Sequence, residues 1–196
     1  GNGDGRRDPW QIEDALASTA NYLGKSGWQR GQRWGREVRL APDFDYRYVE
    51  NSLAPAQWGQ LGARQNSGAA LPGDADTAKL WLPAGASGPA LLTYPNFKTI
   101  KVYNNADSYA LAIGLIADGI SGNGGIEAAW PRDEQPLTRD QAQRLQQTLS
   151  AQGYDTKGTD GVLGANTRRA FAAWQAANGQ TPDGFISQRS AAALIQ

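Results

Sequence analysis

The segment GNGDGRRDPWQIED, at the start of the numbering, contains oxygen-bearing side chains spaced for binding a hard cation. Asn2 and Asp4 are followed by Gly5, as in calcium-binding loops, where alternate residues supply oxygen ligands and glycine permits a sharp turn. The Arg6 carbonyl and Asp14 complete a stretched version of such a loop, whose first ligand position precedes the numbered residues. The same residues are equally compatible with a solvated turn that caps the following helix.

A second group of residues, between positions 94 and 113 (YPNFKTIKVYNNADSYALAI), combines aromatic rings with side-chain amides. Sugars present apolar C–H faces together with hydroxyl groups, so a saccharide cleft needs stacking surfaces beside neutral hydrogen-bonding groups. The segment therefore indicates a carbohydrate-binding surface, although buried tyrosines with satisfied hydroxyl groups are an alternative for the same pattern. The residues concerned are Asn96, Phe97, Tyr103, Asn104 and Tyr109, with Tyr22 from an earlier helix as a further member.

The available catalytic groups are restricted, because the chain contains no cysteine, histidine or methionine. Thiol nucleophiles, imidazole bases and the usual zinc ligands are thereby excluded, and only carboxyl groups are left for acid-base chemistry. No sequence environment marks a particular carboxylate as desolvated, so we expect solvated surface charges and no complete active site. The carboxylates considered are Asp8, Glu13, Glu37, Glu50 and Glu127.

Composition excludes several kinds of partner. The 196 residues are 40% hydrophobic, which is enough to bury a core, and equal numbers of basic and acidic residues give a net charge of zero. A neutral chain has no overall field to attract nucleic acid or an anionic membrane, so a neutral partner is favoured. No apolar run approaches the ~20 residues of a membrane span.

Helical and extended patterns alternate along the first part of the chain. Apolar residues recur at three- and four-residue steps from Ile12 to Leu23, which predicts an amphipathic helix. Residues 28–95 are rich in proline, glycine and short apolar runs, which predicts a small β-rich lobe. The apolar run from Ser108 to Ala117 predicts a buried helix packed against the first one, and the Gly- and Pro-rich residues 121–136 predict a surface connection.

The last sixty or so residues indicate a small helical module. Thr138 and Gln141 have the spacing of a capping box at the start of one helix, and a second helix is expected after Asn166 and Thr167. The segments TDGVLG (159–164) and PDGFIS (182–187) share Asp-Gly followed by two apolar residues, a weak internal repeat of a turn and a helix. One face of the second helix carries Ala170, Phe171, Trp174 and Ala177.

Three segments together resemble the C-terminal half of the lytic murein transglycosylase B family: residues 1–38, the WGQLGAR stretch, and YPNFKTIKVYNNADSYALAIGLIADGISG. Residues 137–196 separately resemble a peptidoglycan-binding module, through LQQTLSAQGY, TDGVLGANTRRAFAAWQ and PDGFIS. The resemblance implies an α+β, mostly helical fold: the C-terminal half of a lysozyme-like core with a small β-rich lobe, plus a three-helix peptidoglycan-binding domain. The implied division is a transglycosylase part over 1–128, with a calcium loop at 1–14 and the lobe at 28–95, a linker over 129–136, and the module over 137–196.

Such transglycosylases cleave the MurNAc-GlcNAc bond without water and leave a 1,6-anhydroMurNAc end. In the family a single glutamate is expected to act first as acid and then as base, in a Glu-Ser-x-Phe-Gly-like motif upstream of the loop. This sequence has no such motif. We therefore expect the catalytic glutamate, and the upstream half of the same domain, to lie outside these residues, and the chain alone to be inactive. A non-catalytic wall-binding protein is the alternative.

The resemblance also implies roles for particular residues. Asn2, Asp4, Arg6 and Asp14 match ligands of an EF-hand-like loop that holds structural Ca²⁺ in some members, and no other cofactor is required. Tyr22, Tyr103, Asn104 and Tyr109 match positions of the saccharide cleft. Peptidoglycan glycan strands are the expected partner, in the periplasm of a Gram-negative cell envelope, with the protein soluble or lipid-anchored through an N-terminus not seen here. Structural roles are expected for Asp160, Thr167 and Phe171, which belong to the module's signature.

Overall fold

The computed structural model describes residues 2–196 and combines six α-helices with one small antiparallel sheet in that range. The four strands are β1 (Gly35–Val38), β2 (Ser52–Leu53), β3 (Ala78–Trp81) and β4 (Ala90–Thr93), and they lie in the order β1-β4-β3-β2. Strand β4 pairs with β1 (Gly35 opposite Thr93) and with β3 (Leu80 opposite Leu92). The chain is therefore mostly helical with a small β-rich lobe, as the resemblance implies. The helices are α1 (Ile12–Lys25), α2 (Pro55–Gln60), α3 (Pro95–Tyr103), α4 (Asp107–Ile120), α5 (Arg139–Ala151) and α6 (Ala165–Ala177).

One face of the sheet packs on α2 to form the core of the β-rich lobe. In β3, Ala78 and Leu80 are buried while Lys79 between them is exposed, as the two-residue period of a strand requires. Trp58 of α2 is completely buried, and its indole N–H donates to the Ala78 carbonyl at 2.9 Å. This satisfied polar atom lets a large ring fill the centre of the lobe without a desolvation penalty.

The other core of this part of the chain lies between the sheet and the α3–α4 pair. Leu91 of β4, Phe97 of α3 and Leu111 of α4 are buried there with Trp34. Gly114 of α4 is required by this packing, because a Cβ atom at that position would lie 2.5 Å from the Trp34 ring. These helices consequently hold the residues at their junction in a fixed position on the sheet.

The helix predicted as buried, α4, is covered on one side only. It packs on α3 instead of on α1, and its outer face exposes Ile113, Ile116 and Ile120, the last with 84% of its surface accessible. The prediction of a buried helix was wrong here, because a continuous apolar pattern does not reveal whether both sides are covered within the same chain. None of the helices within residues 2–196 is long and apolar enough to span a bilayer.

Helices α5 and α6 share a separate core with the C-terminal residues. Thr138 caps α5 by accepting from the Gln141 N–H at 3.2 Å, and the Gln141 side chain accepts from the Thr138 N–H at 2.9 Å, which confirms the predicted capping box. Helix α6 begins at Ala165, so Asn166 and Thr167 lie inside its first turn and do not precede it. The third helix expected for this module is a short 3₁₀ turn, Ala192–Leu194. The buried core residues are Leu145, Leu149, Ala170, Phe171, Trp174, Ala191 and Leu194.

The weak sequence repeat corresponds to a repeated hydrogen-bond arrangement. Gln146 of α5 accepts from the Gly161 N–H at 2.8 Å and donates to the Asp160 carboxylate at 3.3 Å. Gln175 of α6 accepts from the Gly184 N–H at 2.9 Å and donates to the Asp183 carboxylate at 3.1 Å. Each helix thus uses one buried glutamine to fix the following Asp-Gly turn.

The connection over residues 121–136 has no regular secondary structure, but it is attached to the lobe. The Glu37 carboxylate of β1 accepts from the backbone N–H groups of Glu127 and Ala128 at 2.8 and 2.9 Å, and from the Asn66 amide at 2.6 Å. Glu37 was predicted to be a solvated surface charge; these three donors show that it instead fixes the path of the connection.

Candidate functional site

Three tyrosines from three helices form one partly exposed aromatic surface. Tyr103, the last residue of α3, lies 6.1 Å from Tyr22 of α1 and 6.0 Å from Tyr109 of α4 between ring centroids. The Tyr22 and Tyr103 rings meet edge to face, at 86°, and Tyr103 retains 70% of its accessible surface. The sequence grouped these residues, and the structure brings them together with at least one ring face free for a ligand.

Asn104 adds an uncommitted amide beside this surface. It ends α3, and its carbonyl accepts from the Ala106 N–H at 2.8 Å, whereas its exposed side chain makes no hydrogen bond to residues 2–196. An ion pair of 2.5 Å between Lys101 and Asp107 bridges the same α3–α4 turn. The turn therefore presents a free amide donor and acceptor next to aromatic rings, the combination that a saccharide requires.

Asn96 and Phe97 are not part of this surface. The Asn96 amide is fully buried, accepts from the Gln29 N–H at 2.8 Å, and donates to the Gln29 and Gln32 carbonyls, each at 2.8 Å. Phe97 is buried between Trp34 and Trp81. These two members of the predicted group stabilise the fold, because the helical period places them on the inner side of α3.

The loop before α1 is organised by its own side-chain oxygens. Asn2 Oδ1 accepts from the Asp4 N–H at 3.0 Å, and Asp4 Oδ1 accepts from the Arg6 N–H at 2.8 Å. Gly3 and Gly5 between them have φ of 88° and 75°, a region that favours glycine. The alternation predicted from the sequence is therefore a chain of Asx turns.

Asp14 closes this loop from the first turn of α1. One of its oxygens accepts from the Asn2 N–H at 3.2 Å and the other from the Asp8 N–H at 3.0 Å, and the residue is only 5% exposed. The hydrogen bond from the Asp8 N–H lowers the pKa of the Asp14 carboxyl, against the opposing effect of its burial. Asp14 is consequently held as an anion facing the loop.

The donor set of the loop fits a hard cation in part. Asn2, Asp4 and Asp14 supply side-chain oxygens and Arg6 supplies a carbonyl, all of the type that Ca²⁺ prefers. Only two of these ligands are carboxylates, and within residues 2–196 no group of three or more acidic, histidine or cysteine side chains is positioned to hold a metal. A further oxygen ligand from elsewhere would be needed to complete a calcium site.

None of the perturbed carboxyl groups has the character of a general acid. The shifted ones are Asp14, Asp45, Asp155 and Asp160, and in each case hydrogen bonds lower the pKa. A catalytic acid needs the opposite shift, which keeps the proton at neutral pH. The geometry therefore indicates binding surfaces and gives no catalytic centre among these carboxylates.

A groove of about 1700 Å³ separates the β-rich lobe and α3 from the terminal module. Lys98 and Lys101 of α3 line one side, and Arg168 of α6 lines the other. The groove lies beside the tyrosine surface along the chain, because its lining residues Val102 and Asn105 flank Tyr103 and Asn104. The groove is not predictable from the sequence, because its walls come from segments about 70 residues apart.

The module is attached to the lobe beside this groove through one turn. Asp183 accepts from the Ala86 N–H at 2.8 Å, and Gly85 leaves the space for that contact, since a Cβ there would lie 2.7 Å from the carboxylate. The pKa of Tyr46 in the lobe is raised by burial and by the negative charge of Asp183. The repeated Asp-Gly motif in the sequence predicts two similar turns, but it does not indicate which of them contacts the lobe.

Three features together define the class of protein. They are the helical fold with its small sheet, the surface formed by the three tyrosines, and the C-terminal module with its two Asp-Gly turns. The family profile described as "Transglycosylase SLT domain" matches residues 1–118, and the one described as "Putative peptidoglycan binding domain" matches residues 138–194. The chain belongs to the transglycosylase SLT domain family and carries a peptidoglycan-binding domain.

Particular relatives agree with this assignment. SltB3 from Pseudomonas aeruginosa, solved in complex with NAG-anhNAM-pentapeptide, is 45% identical, with a TM-score of 0.92 over 100% of this chain and 53% of that chain. A second structure of SltB3, in complex with NAG-NAM-pentapeptide, gives 46% identity and a TM-score of 0.91 over 98% of this chain and 53% of that one. The membrane-bound lytic murein transglycosylase B of Escherichia coli (strain K12) is 29% identical over 125 residues, which is 61% of this chain and 33% of that protein. The chain thus spans about half the length of SltB3 and a third of the Escherichia coli enzyme.

Proposed function

We propose that this chain provides the saccharide-binding part of a peptidoglycan lytic transglycosylase. In this proposal the whole enzyme cleaves the MurNAc-GlcNAc bond of peptide-bearing glycan strands without water and leaves 1,6-anhydroMurNAc ends. The observation that carries the proposal is the exposed Tyr22–Tyr103–Tyr109 surface beside the free Asn104 amide, in a chain of the transglycosylase SLT domain family. The periplasm is the expected location.

The catalytic glutamate is proposed to lie outside these residues. Supporting this, the sequence has no Glu-Ser-x-Phe-Gly-like motif, and the shifted carboxyl groups have lowered pKa values. One glutamate would first protonate the leaving oxygen and then accept the proton of the C6 hydroxyl, which attacks C1 and closes the anhydro ring. The tyrosine surface would hold the sugars in register for that step.

The apolar outer faces of α1 and α4 support a partner within the same domain. Ile12 and Leu16 of α1 are 73% and 65% exposed, and Ile116 and Ile120 of α4 are 60% and 84% exposed. Faces of this kind are normally buried against another element of the fold. We propose that the rest of the transglycosylase domain packs on them and brings its glutamate to the tyrosine surface.

The decisive experiment incubates the full-length product with purified sacculi and analyses the released muropeptides by mass spectrometry. The proposal predicts anhydromuropeptides, which are one water lighter than hydrolytic products, and predicts that they disappear when the family-motif glutamate is changed to glutamine. Binding to sacculi without release of any muropeptide would instead support a non-catalytic wall-binding protein. Hydrolytic products would contradict the anhydro mechanism.

We propose that the loop closed by Asp14 holds a structural Ca²⁺ through Asn2, Asp4, the Arg6 carbonyl and Asp14. The Asx turns place these oxygens along one loop, and the Asp14 anion is fixed next to it. The ion would order the start of α1, on which Tyr22 lies, and would take no part in the chemistry. A solvated capped turn is the alternative for this loop.

A further inference from the structure

The groove between the β-rich lobe and the terminal module carries an excess of positive charge in a chain with no net charge. Six basic and four acidic residues line it. Three of the acids are already paired with groove cations: Asp45 with Arg47, Glu50 with Lys79, and Asp107 with Lys101. The fourth, Asp183, is occupied by hydrogen bonds from Ala86, Gln175 and Phe185.

Three groove cations, Lys98, Arg168 and Arg169, are left without an acidic partner within residues 2–196, and they lie on opposite walls. Arg169 is occupied by a hydrogen bond that it donates to the Asn166 side-chain oxygen. Lys98 projects from the lobe side on α3, and Arg168 projects from the module side on α6. Both side chains are exposed and make no ion pair there. A groove with free cations on both walls attracts anionic groups of a ligand that lies between them.

The groove also has apolar walls, and two of its lining residues are chain neighbours of the tyrosine surface. Leu82, Pro83, Ala172 and Phe185 contribute apolar area. Val102 and Asn105, which line the groove, are the chain neighbours of Tyr103 and Asn104, so the groove begins one residue away from the tyrosine surface along the chain.

We propose that this groove binds the peptide of the glycan strand, with Lys98 and Arg168 as ligands of its carboxylate groups. This inference rests on the proposed function, since it assumes a peptide-bearing saccharide at the tyrosine surface. Carboxylates suit the two cations, and small aliphatic side chains suit the apolar walls. The terminal module then forms one side of the substrate site, in addition to binding peptidoglycan.

Binding of three probes to the 196-residue chain tests the inference: NAG-NAM-pentapeptide, the same disaccharide without peptide, and the free pentapeptide. Lys98→Ala and Arg168→Ala are expected to weaken pentapeptide-disaccharide binding about two- to fivefold each, the range for exposed ion pairs, and to leave the peptide-free disaccharide unaffected. Arg144→Ala, an exposed cation of α5 outside the groove, is the matched control, and Arg168→Lys should restore most of the affinity.

The possible outcomes separate the two proposals. Equal affinity for the peptide-bearing and peptide-free disaccharides, or an equal effect of Arg144→Ala, would overturn the groove inference while the saccharide site stands. If the peptide-free disaccharide does not bind at all, the saccharide site fails, and loss of free-pentapeptide binding in Lys98→Ala and Arg168→Ala would still support the groove. Circular dichroism of each variant confirms that the fold is retained.

Discussion

Asp160 and Asp183 occupy equivalent positions in two Asp-Gly turns, but only Asp183 reaches out of its own module. Each carboxylate accepts from its clamping glutamine and from the backbone N–H two residues later. The second oxygen of Asp183 also accepts from the Ala86 N–H of the lobe at 2.8 Å. The two Asp-Gly turns thus have different roles. The turn at Asp160 makes contacts within the module, and the turn at Asp183 also joins the module to the lobe.

Asp183→Ala is expected to release the module from the lobe, because it removes a hydrogen bond to a charged acceptor, a type worth about 1.5–3 kcal/mol. Small-angle X-ray scattering should show a larger radius of gyration, and residues 121–136 should be cleaved faster by protease. Asp160→Ala is the matched control, since it weakens the equivalent turn without touching the lobe. If both variants expand the molecule equally, the Asp183–Ala86 contact does not determine the arrangement.

Gly85→Ala tests the same contact from the lobe side. The residue has φ of +68°, and an added Cβ would lie 2.7 Å from the Asp183 carboxylate and 2.8 Å from Phe185 Cβ. The variant should therefore reproduce the expansion and the faster linker cleavage of Asp183→Ala. Gly73→Ala is a suitable control, because a Cβ there meets nothing within 4 Å and the backbone is not left-handed. Unchanged scattering in Gly85→Ala would contradict a tight interface.

Elements defined by local patterns were predictable from the sequence, whereas contacts across the chain were not. The capping box at Thr138 and the amphipathic period of α1 depend on neighbours within four residues, so residue types alone indicate them. The Asp183–Ala86 contact joins residues 97 apart, and the turn that makes it looks like the one that does not. The tyrosine surface was predictable because Tyr103 and Tyr109 are close in sequence. The groove was not predictable because the residues on its two sides are far apart in sequence.

Tyr103→Ala should weaken binding of a peptide-free muropeptide disaccharide to the chain. A well-placed aromatic contact is worth about 0.5–1.5 kcal/mol, which corresponds to roughly two- to tenfold in affinity. Tyr103→Phe keeps the ring and is expected to retain most of the binding, which separates stacking from the hydroxyl contribution. Titration calorimetry provides the measurement. Full affinity in Tyr103→Ala would mean that this surface does not bind saccharide.

Acid should destabilise the module through Asp160. The Val162 N–H and the Gln146 amide lower the pKa of its carboxyl below the ordinary 3.8, so the unfolded chain binds the proton more readily than the folded one. The stabilisation is therefore present above about pH 4 and is lost as the pH falls through the folded-state pKa. Urea unfolding should show a weaker pH dependence below about pH 4 in Asp160→Asn than in the wild type. Asp140→Asn, whose carboxylate makes no hydrogen bond or ion pair within residues 2–196, should behave like the wild type.

Calcium should raise the melting temperature of the chain if the loop closed by Asp14 binds it, because a ligand that binds only the folded state stabilises that state by mass action. A protein of this size gains about 2–4 °C for each kcal/mol of such stabilisation. Asp14→Ala should abolish the rise, since it removes the anion that accepts from the Asn2 and Asp8 N–H groups. Its own melting temperature without calcium must be recorded, because the same change also removes those two hydrogen bonds.

Asp8→Asn is the matched control for the calcium prediction. Asp8 lies in the same loop, but within residues 2–196 its carboxylate accepts only from the Trp10 N–H, at 3.0 Å, and it is not among the proposed ligands. An asparagine oxygen can accept that hydrogen bond, so the calcium-dependent rise should persist in this variant. Magnesium should produce a smaller rise than calcium, because a stretched, flexible loop suits the larger ion, while Mg²⁺ requires near-octahedral geometry. A melting temperature that does not respond to calcium in the wild type would leave the loop as a capped turn, in which Asp14 serves only to anchor the start of α1.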